Sequence, residues 1–399
     1  MVLKKLTSIK MHNQIFMSLI IGVLLGLFYP SGIGGYQFIG QLFVNALKFL
    51  IIPLVFASLI TGILSLGESK SIGKIGGKAL VLFLLSTAFS VCVGIVMALL
   101  MNPGIKAPFF KGSSFSVNSS PDISAIFLEI IPSNIVSSFA SGNMLAIIFT
   151  ALIFGLAISK LSSENRGPLA VFFESVNAMM MLITNWILAF SPLGILCLMA
   201  KLTATTGISS LLPLGLYLVT CILGLVIFSV GVMSGVLWLF GYQPAQLAKL
   251  MMTPLLTAFS TASSSATMPL VIQYLTEKVK LKPSIIGFVI PLGTTINMHG
   301  TALYQGVATL FIAQLYGVSL GLSQFAVIIA IASLAAIAAA GIPSAGLITL
   351  SMIVTAVGVP VEGIGVILAV DRLIDMVRTA VNVWGNIAIA AILDKLDID

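Results

Sequence analysis

Ten apolar stretches leave this chain little choice of solvent. Six run almost unbroken, near residues 13–31, 36–66, 76–102, 124–160, 165–202 and 208–241. A helix that crosses a bilayer needs about 20 apolar residues, so these lengths predict membrane spans. Four more follow near 245–279, 283–316, 323–358 and 363–395, and the first three are cut by FSTASSSATMP, GTTINMHG and AAAGIPSAG. Hydrophobic residues make up 59% of the chain and charged residues 8%. Soluble domains carry about 25% charge, so this surface could not be covered in water. The net charge of +7 comes with no dense basic patch interleaved with aromatics, which argues against a nucleic-acid partner. Cys92, Cys197 and Cys221 lie in apolar runs without metal-ligand spacing and read as small core residues.

The basic residues suggest a threading. Lys4, Lys5 and Lys10 precede the first apolar run, and no small-x-small cleavage site follows, so the sequence predicts an uncleaved first helix starting in the cytoplasm. With both termini and the loops near 67–78, 161–167 and 277–282 on that side, thirteen basic residues lie inside. They are Lys4, Lys5, Lys10, Lys70, Lys74, Lys78, Lys160, Arg166, Lys249, Lys278, Lys280, Lys282 and Lys395. Lys106, Lys111 and Lys201 remain outside, as the positive-inside rule requires. The threading holds only if segments 245–279 and 323–358 enter and return on one side. Their mid-depth Ser and Gly clusters favour such turns, because freed backbone groups are tolerated only inside protein or against a cavity. Each is followed by a long helix with polar residues at depth: Asn297 and His299 after the first, Arg378 and Asn382 after the second. A hairpin followed by an interrupted helix, twice and in opposite orientation, is the pattern of an inverted repeat around a midplane site.

The last apolar segment carries that site most visibly. In DRLIDMVRTAVNVWGN, Asp371, Asp375, Arg378, Asn382 and Asn386 fall at i, i+4, i+7, i+11 and i+15, one stripe along a helix. Charges at membrane depth face a protein interior or a water-filled path. Arg378 offers a planar fork suited to a carboxylate. An internal ion pair with Asp375 or Asp371 is the alternative reading of the same residues.

These segments, in their order, resemble the dicarboxylate/amino acid:cation symporters, the glutamate–aspartate transporter family. The resemblance runs from KFLIIPLVFASLITG (48–62) to the end of the chain. It rests on Ser263–Ser264–Ser265, NMHGTALYQG (297–306), AGIPSAG (340–346) and DMVRTAVNVWGN (375–386). It implies an all-α integral membrane protein of eight transmembrane helices and two re-entrant hairpins, built as inverted repeats and assembled as a homotrimer. Residues 1–75 (spans one and two) and 104–207 (spans four and five) would form a static scaffold. Residues 76–103 (span three) and 208–399 (span six, hairpin one, span seven, hairpin two, span eight) would form a transport domain moving as an elevator. The AAAGIPSAG tip would be the gate, and the location would be a bacterial or archaeal inner membrane, with both termini cytoplasmic.

Carried over position by position, Asp375 would bind the substrate ammonium and Arg378 its side-chain carboxylate, with Thr301 touching that carboxylate. Asn382 and the hairpin backbone at Ala262, Ser263 and Ser264 would hold the α-carboxylate. Thr379 would add a hydroxyl, and Ile342 with Gly346 would close the lid. The implied substrate is L-glutamate or L-aspartate. Relatives carry an arginine at the position of Ala262 or of Met376, and this chain has neither. Arg372 could substitute from one turn away or act as a peripheral anchor. Ser344 stands where a glycine is usual.

The cation positions break the family pattern. Sodium prefers oxygen ligands, including a carboxylate. The two family aspartates are here His299, in NMHGT, and Asn386, in NVWGN; a tyrosine is Phe83, while Ser86 and Thr87 remain. The remaining positions are Gly293, Thr295, Asn297, Ala339 and Asn382, of which Thr295 and Ala339 would act through main-chain carbonyls. The expectation is sodium-independent, proton-coupled transport without a cofactor or firmly held metal. His299 is then either a proton carrier or a structural plug of the vacated site. Sodium-coupled or uncoupled transport, or a channel-like anion conductance, are the alternatives. An intramembrane protease is excluded: Ser263–Ser265 lack a G-x-S context, and Asp371 and Asp375 share one helix.

Overall fold

The computed structural model describes residues 11–67, 73–104, 131–207, 211–338 and 345–396, and every regular element among them is helical. The first half comprises α1 (Met11–Phe28), α2 (Ile33–Gly67), α3 (Gly73–Met101), α4 (Ile135–Ser141), α5 (Met144–Lys160), α6 (Ser163–Ala189) and α7 (Ser191–Thr206). Next come α8 (Leu211–Val226), carried on through a π segment (Ile227–Met233) and Ser234–Leu239, and the short α9 (Pro244–Leu250). The remainder is α10 (Met252–Thr261), α11 (Ser264–Tyr274), α12 (Pro283–Ile296), α13 (His299–Leu315), α14 (Leu322–Ala338), α15 (Ala345–Ala356) and α16 (Ile364–Leu396).

Breaks follow local chemistry that hydropathy does not register. The stretch read as 165–202 is two helices, because Pro192 occupies the first turn of α7, where its missing N–H costs nothing. The stretch read as 124–160 is broken at Gly142, whose φ of 71° ends α4, and Asn143 caps α5 by accepting from Ala146 N. The first two stretches meet at a bend of 107° at Tyr29 and Pro30.

Large apolar side chains cover much of the outside as well as the core, while the polar side chains of α13 and α16 point inward. Phe28, Phe38, Phe49, Leu100, Phe172, Trp238 and Leu239 are exposed, whereas Asn297, His299, Gln305, Asp371, Asp375, Arg378, Asn382 and Asn386 are buried. Among the described residues four helices are long and apolar enough to cross a membrane, or five counting the bent α1–α2 pair. Together with the composition, this describes a multi-pass membrane protein. Within these spans burial runs from 11% of the apolar window in α6 to 83% in α16, which marks periphery and centre.

Two groups of helices pack mainly among themselves. In one, α2 packs on α5, α6 and α7, and α1 on α7. In the other, α13 packs on α3, α8, α14, α15 and α16, and α16 also packs on α10 and α12. The groups meet where α14 and α15 pack on α2, and where α16 touches α1 and α7. Two helical hairpins stand out: α10 against α11, and α14 against α15. The first turns at Ala262, in the left-handed region (φ 51°), with Ser263 capping α11 by accepting from Ala266 N. The tip of the second, 339–344, lies outside the described residues.

Every residue of α13 except Gln314 is buried, and its N-terminus packs directly on α16. A Cβ on Gly300 would stand 2.5 Å from the Arg378 carbonyl oxygen and 2.9 Å from its Cα. Backbone atoms cannot yield to it as a flexible side chain would. Gly300→Ala is therefore expected to lower the thermal melting point of the purified protein, from an overpacking cost of about 1–3 kcal/mol. An unchanged melting point would show that α13 shifts freely on α16.

Candidate functional site

The polar stripe of α16 faces the protein interior along its whole length. Arg378 is buried and bridges two buried carboxylates. Its Nε donates to Asp375 Oδ1 at 2.9 Å, its Nη2 lies 2.8 Å from the same oxygen, and its Nη1 donates to Asp371 Oδ1 at 3.3 Å. The Tyr304 ring lies under the guanidinium, 4.6 Å from Cζ. Arg372 reaches the other side of Asp375, with Nη1 3.4 Å from Oδ2. Of its two expected roles, the structure favours service to Asp375 over peripheral anchoring. The internal pairing, read above as the alternative to ligand binding, is thus present in this conformation.

Around this ion cluster the structure brings together most of the expected substrate positions. Gly346, in the first turn of α15, lies on the guanidinium: a Cβ there would meet Arg378 Nη1 at 2.7 Å and Thr301 Cγ2 at 3.0 Å. Asn382 ties α16 to the start of α13, accepting from Gly300 N at 2.7 Å and donating to Thr301 Oγ1 at 3.3 Å. Thr379 donates to its own helix, to Asp375 O at 2.7 Å. Ala262 and Ser264 are buried at the first hairpin turn, with Ser263 between them, and both α10 and α11 pack on α16. Ile342 belongs to the tip outside the described residues.

Sequence reasoning assigns Tyr304 and Gln305 no role, and Asp371 only a place on the stripe as an ion-pair partner for Arg378. Asp371 lies on the stripe, two turns before Arg378, so its signal was present. Tyr304 follows Thr301 by three residues, on the same face of α13. Gln305 bonds Thr349 of α15 and reaches Gly346 O at 3.4 Å, so α13 holds the second hairpin through one buried amide.

A second polar cluster lies beside the first, where α12 and α13 are separated by non-helical Asn297 and Met298. Asn297 Nδ2 donates to Asn386 Oδ1 at 2.7 Å, and Thr87 Oγ1 donates to Asn297 Oδ1 at 3.3 Å. Gly293 faces Asn386 Oδ1 and the Phe83 ring. His299 Nε2 lies 2.5 Å from Ser86 Oγ, whose own proton is directed to Leu82 O. Ser86 therefore accepts from His299 Nε2–H, and His299 Nδ1 is left as a buried acceptor without a partner. The ring rests on Gly385, where a Cβ would collide with Nδ1. The Thr295 hydroxyl donates to Pro291 O at 2.9 Å, whereas its expected cation contact is the main-chain carbonyl, and Ala339 lies outside the described residues.

The donor set here is two carboxamides, two hydroxyls, an imidazole and a phenyl ring. It contains no carboxylate, and no group of three or more His, Cys, Asp or Glu side chains that could hold a metal occurs among the described residues. The cluster does not fit a carboxylate-dependent sodium site.

Comparisons with known proteins agree with this architecture. Residues 11–396 match the model of the Sodium:dicarboxylate symporter family. The chain is 34% identical to the proton/sodium-glutamate symport protein of Bacillus caldotenax, covering 96% of this chain and 93% of that one. It is 32% identical to the proton/glutamate-aspartate symporter of Escherichia coli K12, covering 96% and 92%. It is also 36% identical to the neutral amino acid transporter B(0) of Mus musculus, covering 92% of this chain and 75% of that one. A match over nearly the full length, on a helical bundle with a buried charged stripe, leads to one conclusion: the chain belongs to the sodium:dicarboxylate symporter family.

Proposed function

We propose that this protein is a secondary active transporter of L-glutamate or L-aspartate, driven by protons rather than sodium. The observation that carries the reading is the buried Arg378 guanidinium held between Asp371 and Asp375, with Gly346 of the second hairpin resting on it. Arg378 and Arg372 together balance the charge of the two carboxylates. An amino acid with an acidic side chain would take Arg378 by its side-chain carboxylate and Asp375 by its ammonium group. Asn382 and the hairpin turn at Ala262–Ser264 would receive the α-carboxylate, helped by the N-terminal dipole of α11. Neutral substrates, as named for the mouse relative, would leave the guanidinium without a substrate carboxylate.

The two packing groups support a moving part and a static one. The second hairpin, α14 and α15, serves as the gate that admits substrate. The group around α13 and α16, comprising α3 and α8–α16, then slides against α1, α2 and α4–α7 as an elevator. A homotrimer in the cytoplasmic membrane, with both termini cytoplasmic, suits the exposed apolar faces. Proton coupling is supported by the absence of a carboxylate from the second cluster and by the free acceptor on His299. The bond to Ser86 and the seat over Gly385 support a second reading, in which His299 fills a vacated cation site and the proton travels elsewhere.

The test is uptake of labelled aspartate and glutamate into proteoliposomes without sodium, with and without an inside-alkaline pH gradient. Saturable accumulation that a protonophore collapses is the expected result. Strict sodium dependence would overturn the coupling assignment, and an unsaturable flux would overturn transport in favour of a channel.

A further inference from the structure

A cavity of about 550 Å³ opens on the opposite side of α16 from the charged stripe, between the π segment of α8 and the helices α9 and α10. Val230, Ala248, Leu255, Phe259, Val381 and Trp384 are among its lining residues. Its few polar groups are already engaged. Ser229 Oγ donates to Leu225 O at 2.8 Å, Ser234 Oγ donates to Ser229 O at 3.0 Å, and Trp384 Nε1 donates to the same carbonyl at 3.2 Å. Ser229 lies in the π segment, where the departure from α-helical pairing lets its carbonyl take both the Ser234 and the Trp384 donors. With no donor left over, the walls offer nothing to an amino acid and everything to a hydrocarbon chain.

Two further features name the occupant. The rim runs into side chains that face outward: Val230 is 68% exposed, Leu256 58% and Phe259 40%, so the cavity is continuous with the lipid-facing surface. At one end α9 presents exposed Lys249, next to Ala248 of the lining, and Lys395 lies 5.5 Å from the Tyr242 ring just before α9. Asp394, the acidic neighbour at that end, already accepts from Lys282 N at 2.9 Å. A basic mouth on an apolar slot matches an anionic headgroup on an acyl chain. We propose that this cavity binds one acyl chain of an anionic membrane phospholipid, with the headgroup at Lys249. The site adjoins the first hairpin and carries Trp384 between Asn382 and Asn386, so an occupant braces α10 against α8 and α16. Binding itself does not depend on the transport assignment.

Trp384 is the reporter. The full-length protein carrying Trp186→Phe and Trp238→Phe is placed in nanodiscs of phosphatidylcholine, with increasing brominated phosphatidylglycerol or brominated phosphatidylcholine. Saturable quenching of Trp384 is expected, with phosphatidylglycerol acting at about fivefold lower mole fraction, the preference one membrane-surface lysine supplies. Lys249→Gln should erase that preference, and Ala248→Leu or Ala245→Leu should remove the saturable phase while the protein stays monodisperse. A companion protein retaining only exposed Trp238 supplies the profile of bulk lipid contact. If Trp384 follows that profile, or if both filling variants leave its quenching unchanged, the proposal is overturned.

Discussion

Arg378→Cys abolishes saturable uptake of aspartate and glutamate. Truncating one partner of a buried, hydrogen-bonded charge pair costs about 2–5 kcal/mol in binding, a loss of roughly 30-fold to several thousandfold. The same change leaves Asp371 and Asp375 buried without their shared cation, a stability penalty of about 3–5 kcal/mol. The two effects separate in the double variant Arg378→Cys with Asp371→Asn, which removes the carboxylate whose ion pair is lost, while Asp375 keeps Arg372. Melting temperature is expected to recover partly in the double variant, whereas acidic substrate uptake is not. Retained uptake in either variant, measured in proteoliposomes, would remove Arg378 from the substrate site.

Returning carboxylates to the second cluster is expected to create a response to sodium. In the double variant His299→Asp with Asn386→Asp, the Asn297 amide, which now donates to Asn386 at 2.7 Å, would face a carboxylate. The carboxylate replacing the imidazole would lie on the Ser86 side of the cluster, and the pocket would gain anionic oxygen ligands suited to a hard cation. Coupling between two ligand sites is commonly about 5- to 150-fold in affinity. Aspartate binding to the variant should tighten by that order between sodium-free and sodium-containing buffer, while the unaltered protein shows no such change. Equal affinity in both buffers, from a variant that still binds aspartate, would show that substitutions beyond these two carboxylates removed the site.

Much of the site was legible because helical periodicity and the cost of buried charge act together. Asp371, Asp375, Arg378, Asn382 and Asn386 read as one stripe, and all five are buried. The first hairpin was legible from its serine cluster, since such residues cap helices readily, and Ser263 does so. The left-handed Ala262 was not, because alanine carries no signal for that conformation. The π segment at 227–233 was invisible for another reason. In a run that is apolar on every side, nothing in hydropathy distinguishes wide turns from ordinary ones. The platform of Tyr304 beneath Arg378 depends on how α13 is rotated against α16, and that rotation is set by Gly300. A single glycine shows where a close approach is allowed, but not which helix makes it.

The graded burial of the helices bears on how the protein is assembled. The most apolar part of α16 reaches a mean hydropathy of only 1.4, against 2.5 for that of α3. Alone in hydrocarbon, Asp371, Asp375 and Arg378 would oppose partitioning by several kcal/mol. In the bundle these three residues are buried, with α16 packed against α13 and the first hairpin. Stable insertion of α16 therefore depends on neighbours that shield its charges, so the polar stripe ties membrane partitioning of this helix to its packing in the bundle.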